Sequence, residues 1–504
     1  MFPILIAGKW RDADSTSTFH AENPATGAPL PGDYPVSPWA DCDAALEAAA
    51  EAAIVLRAAP PEQIAEFLTR YAARLEARDG ELVELAHLET ALPKSPRLAD
   101  VELPRTTGQL RQAAAAALDG SWALPTIDAK LNIRSMLAPI GPIFVLGPNN
   151  FPFAFNGIAG GDFAAAIAAG NPVIAKAHPS HPGTTRLLAE EALLALTDSG
   201  LPPATVQLLY QIAPTEGLRM VADSRLGATA FTGSRTAGLA LKAAADAAGK
   251  PIYLELSSAN PVLILPGALA ERGEKIAEEF IASSLLGVGQ FCTSPSLVVL
   301  LAGAATEQFI ATVRGKFEST APAPLLSATV VRGLEAGVKA LQAAGAQLLT
   351  GGAPAAPGRR FANTLLRATG DEFLAEPEKL QTEVFGNASL FVVVRDSAQA
   401  AAVLAHLEGN LTGCIYSDTA GADDALYDAL APLLRTRVGR LLNDKMPTGV
   451  AVSPAMNHGG PFPSTGHPGF TAVGIPASLR RFAALHCYDN VRPARLPAAL
   501  RDLK

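Results

Sequence analysis

The sequence predicts an α/β protein built on a parallel sheet covered on both faces, followed by a second α/β unit of similar size. Two observations carry this. From Pro139 onward, short continuous apolar strands alternate with helical stretches, as a parallel sheet buried on both sides requires. The alternation comes as two series, one ending near "IYLEL" and one beginning after "NPVLILPGA". A length of 504 residues exceeds what one core supports, so two or three domains are expected.

Taken in order, the first hundred residues are mostly helical in pattern. "DCDAALEAAAEAAIVLRAA" and "PEQIAEFLTRYAARLEARDGELVELAHLET" repeat apolar residues at helical spacing, and Pro61 opens the second near its first turn. The first series then reads as strand "PIFVLGP", helix "GDFAAAIAAG", strand "PVIAKAH" and helix "TTRLLAEEALLAL". It goes on through "VQLLY", a short helix near "EGLRMVA", strand "ATAFTG", helix "AGLALKAAADAAG" and strand "IYLEL". The second series comprises helix "EKIAEEFIASSLLG", strand "SLVVLLA", a helix near "TEQFIATVRGKF" and strands "LFVVV" and "GCIYS". "NHGGPFPSTGHPG" is a loop by its glycines and prolines, and "RRFAALHCYDNVRP" holds a late strand.

Composition excludes several classes. The net charge of −8 is mild for this length and argues against a nucleic-acid partner. The N-terminus has no basic region and only a short apolar run, so no signal peptide is expected. Ser135 to Gly161 carries no charge, but Pro139, Pro142, Pro148 and Pro152 break any membrane span. The four cysteines form no metal-like spacing. Reduced thiols in the cytoplasm are expected, with Cys42, Cys414 and Cys487 as packing residues. His178 and His181 in "HPSHPG" lack acidic or sulfur companions, so no metal site is expected.

Cys292 stands apart. It sits in "GVGQFCTSP" between a glycine-rich approach and hydroxyl residues, a turn rather than a core run. Glu255 interrupts the apolar strand "IYLELSSANP". That position is either an edge, a salt bridge or a functional carboxylate, since an acid withdrawn from water can act as a general base near neutrality. Asn150 in "GPNNFP" follows the first strand of the sheet, where open α/β sheets bind ligands and where an amide can donate to an oxyanion. "FTGSRTAG" places Gly233 and Ser234 between a strand and a helix N-terminus, a place for a pyrophosphate, although no GxGxxG follows "IFVLG".

"GPNNFP", "AAGNPVIAKAHPS", "FTGSRTAG", "ELSSANP", "GQFCT" and "EVFG", in this order and spacing, resemble the aldehyde dehydrogenase superfamily. "NGIAGGDFAAAIAAG", "KAHPSHPGTT" and "HGGPFP" look like its bacterial branch of NADP-using and 2-oxoglutarate-semialdehyde dehydrogenases. The resemblance runs from about Ala7 to the C-terminus. It implies a Rossmann-type cofactor domain (residues 1–120 and 140–256), an α/β catalytic domain (257–454) and a small β oligomerisation element (121–139 and 470–504). It also implies that Cys292 attacks the aldehyde, that Asn150 and the Cys292 N–H hold the oxyanion, and that Glu255 activates the hydrolytic water. Lys176 would bond the adenosine ribose, with His178 beside it. Gly233 and Ser234 would face the pyrophosphate, and Glu383 and Phe385 the nicotinamide ribose. Backbone amides are expected to favour the Cys292 thiolate.

The chain departs from the family in having Asn149 where a tryptophan is common, Ser257-Ser258 where two glycines are, and Asn387 where a proline is. No carboxylate lies between Lys176 and Arg186, so NADP is expected to be accepted and modestly preferred, with NAD usable. Phe155, Phe291 and Phe462 suggest an apolar substrate funnel with Phe151 and Phe153 behind it, and no motif places an arginine to grip a substrate carboxylate. The implied partners are a small aldehyde such as 2-oxoglutarate semialdehyde and a second copy or copies in a homodimer or homotetramer; no membrane is expected. Acyl-phosphate and CoA-acylating relatives share the thiol without needing Glu255. A thiol esterase without redox, or a non-catalytic binding protein on the same fold, are the other readings.

Overall fold

The computed structural model describes residues 1–501 of the 504. Two seven-stranded sheets dominate it. In the first, parallel strands Ile143–Leu146, Val173–Lys176, Val206–Leu209, Ala228–Thr232 and Ile252–Glu255 follow one another in sequence. In space, Ile143–Leu146 is central, flanked by Val173–Lys176 on one side and Ala228–Thr232 on the other. The strand order therefore reverses at Ile143–Leu146, and the carboxyl ends beside such a reversal are where open α/β sheets bind ligands.

Burial explains why these strands read as unbroken apolar runs. Residues 151–175 are buried throughout, which accounts for the charge-free segment without a membrane. Among the described residues, no helix is long and apolar enough to cross one. Helix Pro182–Ser199 covers the sheet with its N-terminus stopped by Glu89, whose carboxylate accepts from the N–H groups of Gly183 and Thr184 at 2.8 Å each.

The first hundred residues differ from the helical expectation. Strands Ile4–Ile6 and Lys9–Arg11 extend the first sheet through antiparallel pairings, and Tyr34–Ser37 joins a smaller sheet. The expected long helix after Pro61 is two helices, Pro61–Ala77 and Asp79–Thr90, broken at Arg78. Helix Leu103–Asp119 packs against the first of these and was not anticipated.

The second sheet orders Gln347–Thr350, Thr364–Thr369, Ala388–Val394, Leu297–Leu301, Val262–Ile264, Asn410–Tyr416 and Val438–Asn443. All its pairings are parallel except that of Gln347–Thr350. Separate apolar clusters fill its two faces. A third sheet pairs the late strand Ala483–Asp489 with Ile133–Pro139, which in turn pairs with Thr126–Asp128. Residues 502–504 of the expected oligomerisation element lie outside the described residues. Cys42 and Cys414 are buried as expected, but Cys487 is exposed on the late strand rather than buried as a packing residue.

Candidate active site

The carboxyl ends of the first sheet gather most of the expected residues. Asn150 follows Ile143–Leu146, Lys176 ends its strand, Gly233 and Ser234 follow Ala228–Thr232, and Glu255 ends the edge strand. Glu255 is nonetheless buried, because the loop after residue 456 covers that edge: Glu255 bridges Thr465, and Leu256 N–H donates to Ser464 O at 2.8 Å.

That loop brings in the histidine of "HGGPFP", to which the resemblance gave no role. His458 is buried, and its Nε2 lies 2.9 Å from Glu255 Oε1 and 3.4 Å from Cys292 Sγ. Its backbone N–H is fixed by Thr471 Oγ1 at 2.9 Å. The other carboxylate oxygen of Glu255 is buried without a hydrogen-bond partner.

Cys292 is presented by a strained approach. Gly287, Val288 and Gly289 all hold positive φ (57°, 60° and 69°), a conformation that a β-branched valine adopts only under constraint. Gly289 is required on a second count, since a Cβ there would lie 2.2 Å from Gly386 O. Asn260 then pins the Cys292 loop, its Nδ2 lying 2.9 Å from Cys292 O, 3.0 Å from Ser294 O and 3.1 Å from Ser258 O. Asn150 lies across the cleft, donating from Nδ2 to Gln290 O at 2.9 Å. An amide nitrogen has two hydrogens, so one remains to face a substrate oxygen.

The thiol's acidity corrects the expectation. Burial pushes Cys292 well above the usual thiol value, and the carboxylate of Glu255 pushes it further; Arg105 opposes them weakly. The resting form is the thiol, and its proton needs an acceptor at hand.

Glu383 lies close enough to the serines that replace the expected glycines for Ser257 and Ser258 to stabilise its carboxylate. Burial raises it to about 7 in spite of them. The Ser258 hydroxyl is also bound, 2.8 Å from Asn260 Oδ1, and accepts from Leu411 N–H at 2.9 Å. Asn387 donates to Phe361 O and Asn363 Oδ1 at 2.8 and 2.7 Å, work a proline could not do. Phe385 is half-buried beside Glu383.

Around the cofactor crevice, Lys176 has no hydrogen bond or ion pair among the described residues, and burial lowers it to about 8. His178 Nδ1 accepts from Ser180 N–H at 3.1 Å, and burial holds the imidazole neutral. Its neighbour His181 contacts Pro148 O through Nε2. Ser234 caps helix Arg235–Ala247, and Gly233 lets the turn lie against the Phe231 ring. A helix N-terminus, a neighbouring lysine without a partner and a carboxylate beyond them fit a dinucleotide.

The substrate wall differs in part. Phe151 packs on Phe155 and Phe291 at ring-centroid distances of 5.1 and 5.2 Å, and Phe155 lies 5.7 Å from the His458 ring. Phe153 is fully buried, whereas Phe462 is 59 % exposed and touches none of these rings.

Residues 10–434 match the aldehyde dehydrogenase family. This chain belongs to that family. It is 38% identical to alpha-ketoglutaric semialdehyde dehydrogenase 2 of Azospirillum brasilense, over 99% of this chain and 96% of the relative. It is 35% identical to alpha-ketoglutaric semialdehyde dehydrogenase of Acinetobacter baylyi, over 92% and 89%. Among solved structures, a 1-pyrroline-5-carboxylate dehydrogenase from Thermus with bound NAD shares the fold with a TM-score of 0.81 at 24% identity, covering 97% of this chain and 92% of that one. PnpE of Pseudomonas sp. WBC-3 does so with a TM-score of 0.82 at 22% identity, covering 97% of each. The protein is an aldehyde dehydrogenase that oxidises an aldehyde to the acid with NAD(P). The redox-free esterase and the non-catalytic binding protein give way to it.

Proposed function

We propose that this aldehyde dehydrogenase oxidises a short carboxylated aldehyde, 2-oxoglutarate semialdehyde or a close analogue, with Cys292 as nucleophile. The contact of His458 Nε2 with both Cys292 and Glu255 is the observation that carries the chemistry. The names of the two relatives support the substrate.

His458 Nε2 takes the thiol proton as Sγ forms its bond to the aldehyde carbon, and the resulting N–H donates to Glu255. The new oxyanion is held by the free hydrogen on Asn150 Nδ2 and by the Cys292 N–H, which has no hydrogen bond among the described residues. The nicotinamide, when bound, supplies the acceptor for the hydride. Loss of hydride from the thiohemiacetal leaves a thioester on Cys292. Glu255 then draws a proton from water, whose oxygen attacks the thioester carbon; the carbon–sulfur bond breaks, the sulfur takes back the proton held on His458 Nε2 to re-form the thiol, and Glu255 gives its proton to solvent.

Lys176, Gly233, Ser234 and Glu383 hold the cofactor, with His178 and Phe385 beside them. NADP is modestly preferred, a reading supported by the lysine without an acidic partner. The first sheet with its helices forms the cofactor domain and the second the catalytic domain. The three-stranded sheet joins copies, a reading supported by Leu485, Ile127 and Leu131, apolar and exposed along it. The four free cysteines support a reducing compartment, the cytoplasm. Reduced-cofactor absorbance at ~340 nm on adding 2-oxoglutarate semialdehyde tests the reading. It should appear with the wild type and be lost in Cys292→Ala; no signal with the wild type overturns it.

A further inference from the structure

Three guanidinium groups stand around Cys292, and two of them donate to acceptors, although the Nε of Arg97 is itself buried without one. Arg97 pairs with Glu102 in a buried ion pair and donates from Nη2 to Asn150 O at 3.0 Å. Arg440 donates from Nη2 to the carbonyls of Pro447 and Gly449 at 2.9 and 3.0 Å. Arg105 differs. Its Nε and Nη2 are buried without any hydrogen-bond partner, and no ion pair reaches it among the described residues.

What Arg105 does have is an aromatic bed. Its Cζ lies 5.0 Å from the centroid of Phe155 and 5.7 Å from that of Phe151. Those rings form the wall beside the nucleophile, since Phe155 adjoins His458 and Phe151 adjoins Phe291, the residue before Cys292. A ring face attracts a cation but accepts none of its N–H groups in the plane of the guanidinium, which stay available. The nearest acid cannot take them. Glu102 is occupied by Arg97 and by the N–H groups of Phe153 and Ala154 at 2.8 and 3.0 Å.

A desolvated guanidinium with unmet donors is unfavourable unless an anion completes it. Burial does lower Arg105 from its ordinary value, and Cys292 and Glu255 are among the groups whose charge it senses, so it lies within electrostatic reach of the chemistry. A planar fork with free N–H groups matches a carboxylate in two parallel hydrogen bonds.

We propose that Arg105 anchors the distal carboxylate of the substrate, making it the residue that selects carboxylated aldehydes over neutral ones of the same length. This rests on the substrate reading above. Arg105 sits on helix Leu103–Asp119, a scaffold element outside every sequence motif, so the enzyme has an arginine for substrate carboxylate that no motif announced.

The test compares 5-oxopentanoate with pentanal in the wild type, Arg105→Met and Arg105→Lys, using steady-state kcat and KM with saturating NADP. The wild type should favour 5-oxopentanoate through a lower KM. In Arg105→Met the ratio of kcat/KM for the two aldehydes should fall about 100-fold, as expected when one partner of a buried charge pair is removed. Arg105→Lys should keep part of the preference. NADPH fluorescence and thiol titration show that each variant is folded and loaded. A wild type indifferent to the carboxylate overturns the substrate reading and the anchor together. A preference that survives in Arg105→Met overturns the anchor alone. Equal losses on both aldehydes overturn it as well, making Arg105 a group that acts on Cys292.

Discussion

His458 Nε2 lies 2.9 Å from Glu255 Oε1 with both side chains buried, and the same nitrogen is 3.4 Å from Cys292 Sγ. One ring nitrogen holds one hydrogen at most, so it cannot donate to the carboxylate and accept from the thiol in the same state. In the proposed mechanism the histidine therefore has two settings, and passing between them transfers the thiol proton. A raised Cys292 makes this transfer necessary at neutral pH.

The first prediction concerns that nitrogen. His458→Ala removes the acceptor while leaving the nucleophile's loop pinned by Asn260. kcat/KM should fall about 100-fold, the usual scale of a lost proton carrier, while NADPH affinity by fluorescence stays near the wild-type value. Activity within about threefold of wild type would make His458 a packing residue.

Glu255→Gln separates capture of the aldehyde from release of the acid. Stopped-flow mixing should show a burst of reduced cofactor equal to the active sites, followed by turnover slowed about 100- to 10,000-fold. Loss of burst and turnover in equal measure would assign Glu255 to activation of Cys292 instead.

The glycines give a prediction that turns on geometry alone. Gly289 has φ +69° and no room for a Cβ, which would meet Gly386 O at 2.2 Å. Gly289→Ala should displace the segment carrying Cys292 and reduce kcat at least about 10-fold through misplacement of the thiol. Gly315, inside helix Ala304–Ser319, has nothing near its would-be Cβ. Gly315→Ala should leave kcat unchanged and stabilise the fold by about 1 kcal/mol, read as a higher urea midpoint. Equal behaviour of the two variants would contradict the steric argument.

These residues also show what the sequence could reveal. Asn150, Lys176, Gly233 and Glu255 were legible because each sits where a continuous apolar strand stops, and the strand ends of a parallel sheet face one crevice. His458 begins the motif "HGGPFP", but its role was not legible, because it lies 203 positions from Glu255 in a glycine- and proline-rich loop whose path no periodicity describes. Arg105 was hidden differently. Its helix opens with a proline, two threonines and a glycine, weak formers that obscure the pattern, and only packing decides which side chain faces Phe155. The thiol's state was misjudged because backbone amides are visible in a motif, whereas burial and a facing carboxylate are properties of the assembled site.

Cofactor choice provides the last prediction. The 2′-phosphate that distinguishes NADP would meet Lys176, which has no acidic partner among the described residues and ionises at about 8 rather than its ordinary 10.5. His178 beside it is held neutral by burial, so the lysine supplies the positive charge of this pair. Below about pH 8 Lys176 is protonated and attracts the phosphate; above it the amine is neutral and the attraction fades. The ratio of kcat/KM for NADP to that for NAD should therefore exceed one at pH 7 and decline as pH rises through about 8. Titration of Cys292 affects both cofactors alike and cancels in the ratio. Lys176→Met should flatten the profile and lower the ratio at pH 7 towards its alkaline value. Steady-state measurements at saturating aldehyde between pH 6.5 and 9.5 decide it. A preference for NAD of about a hundredfold, roughly 2.7 kcal/mol, or a ratio that climbs with pH, would show that a group other than Lys176 selects the cofactor.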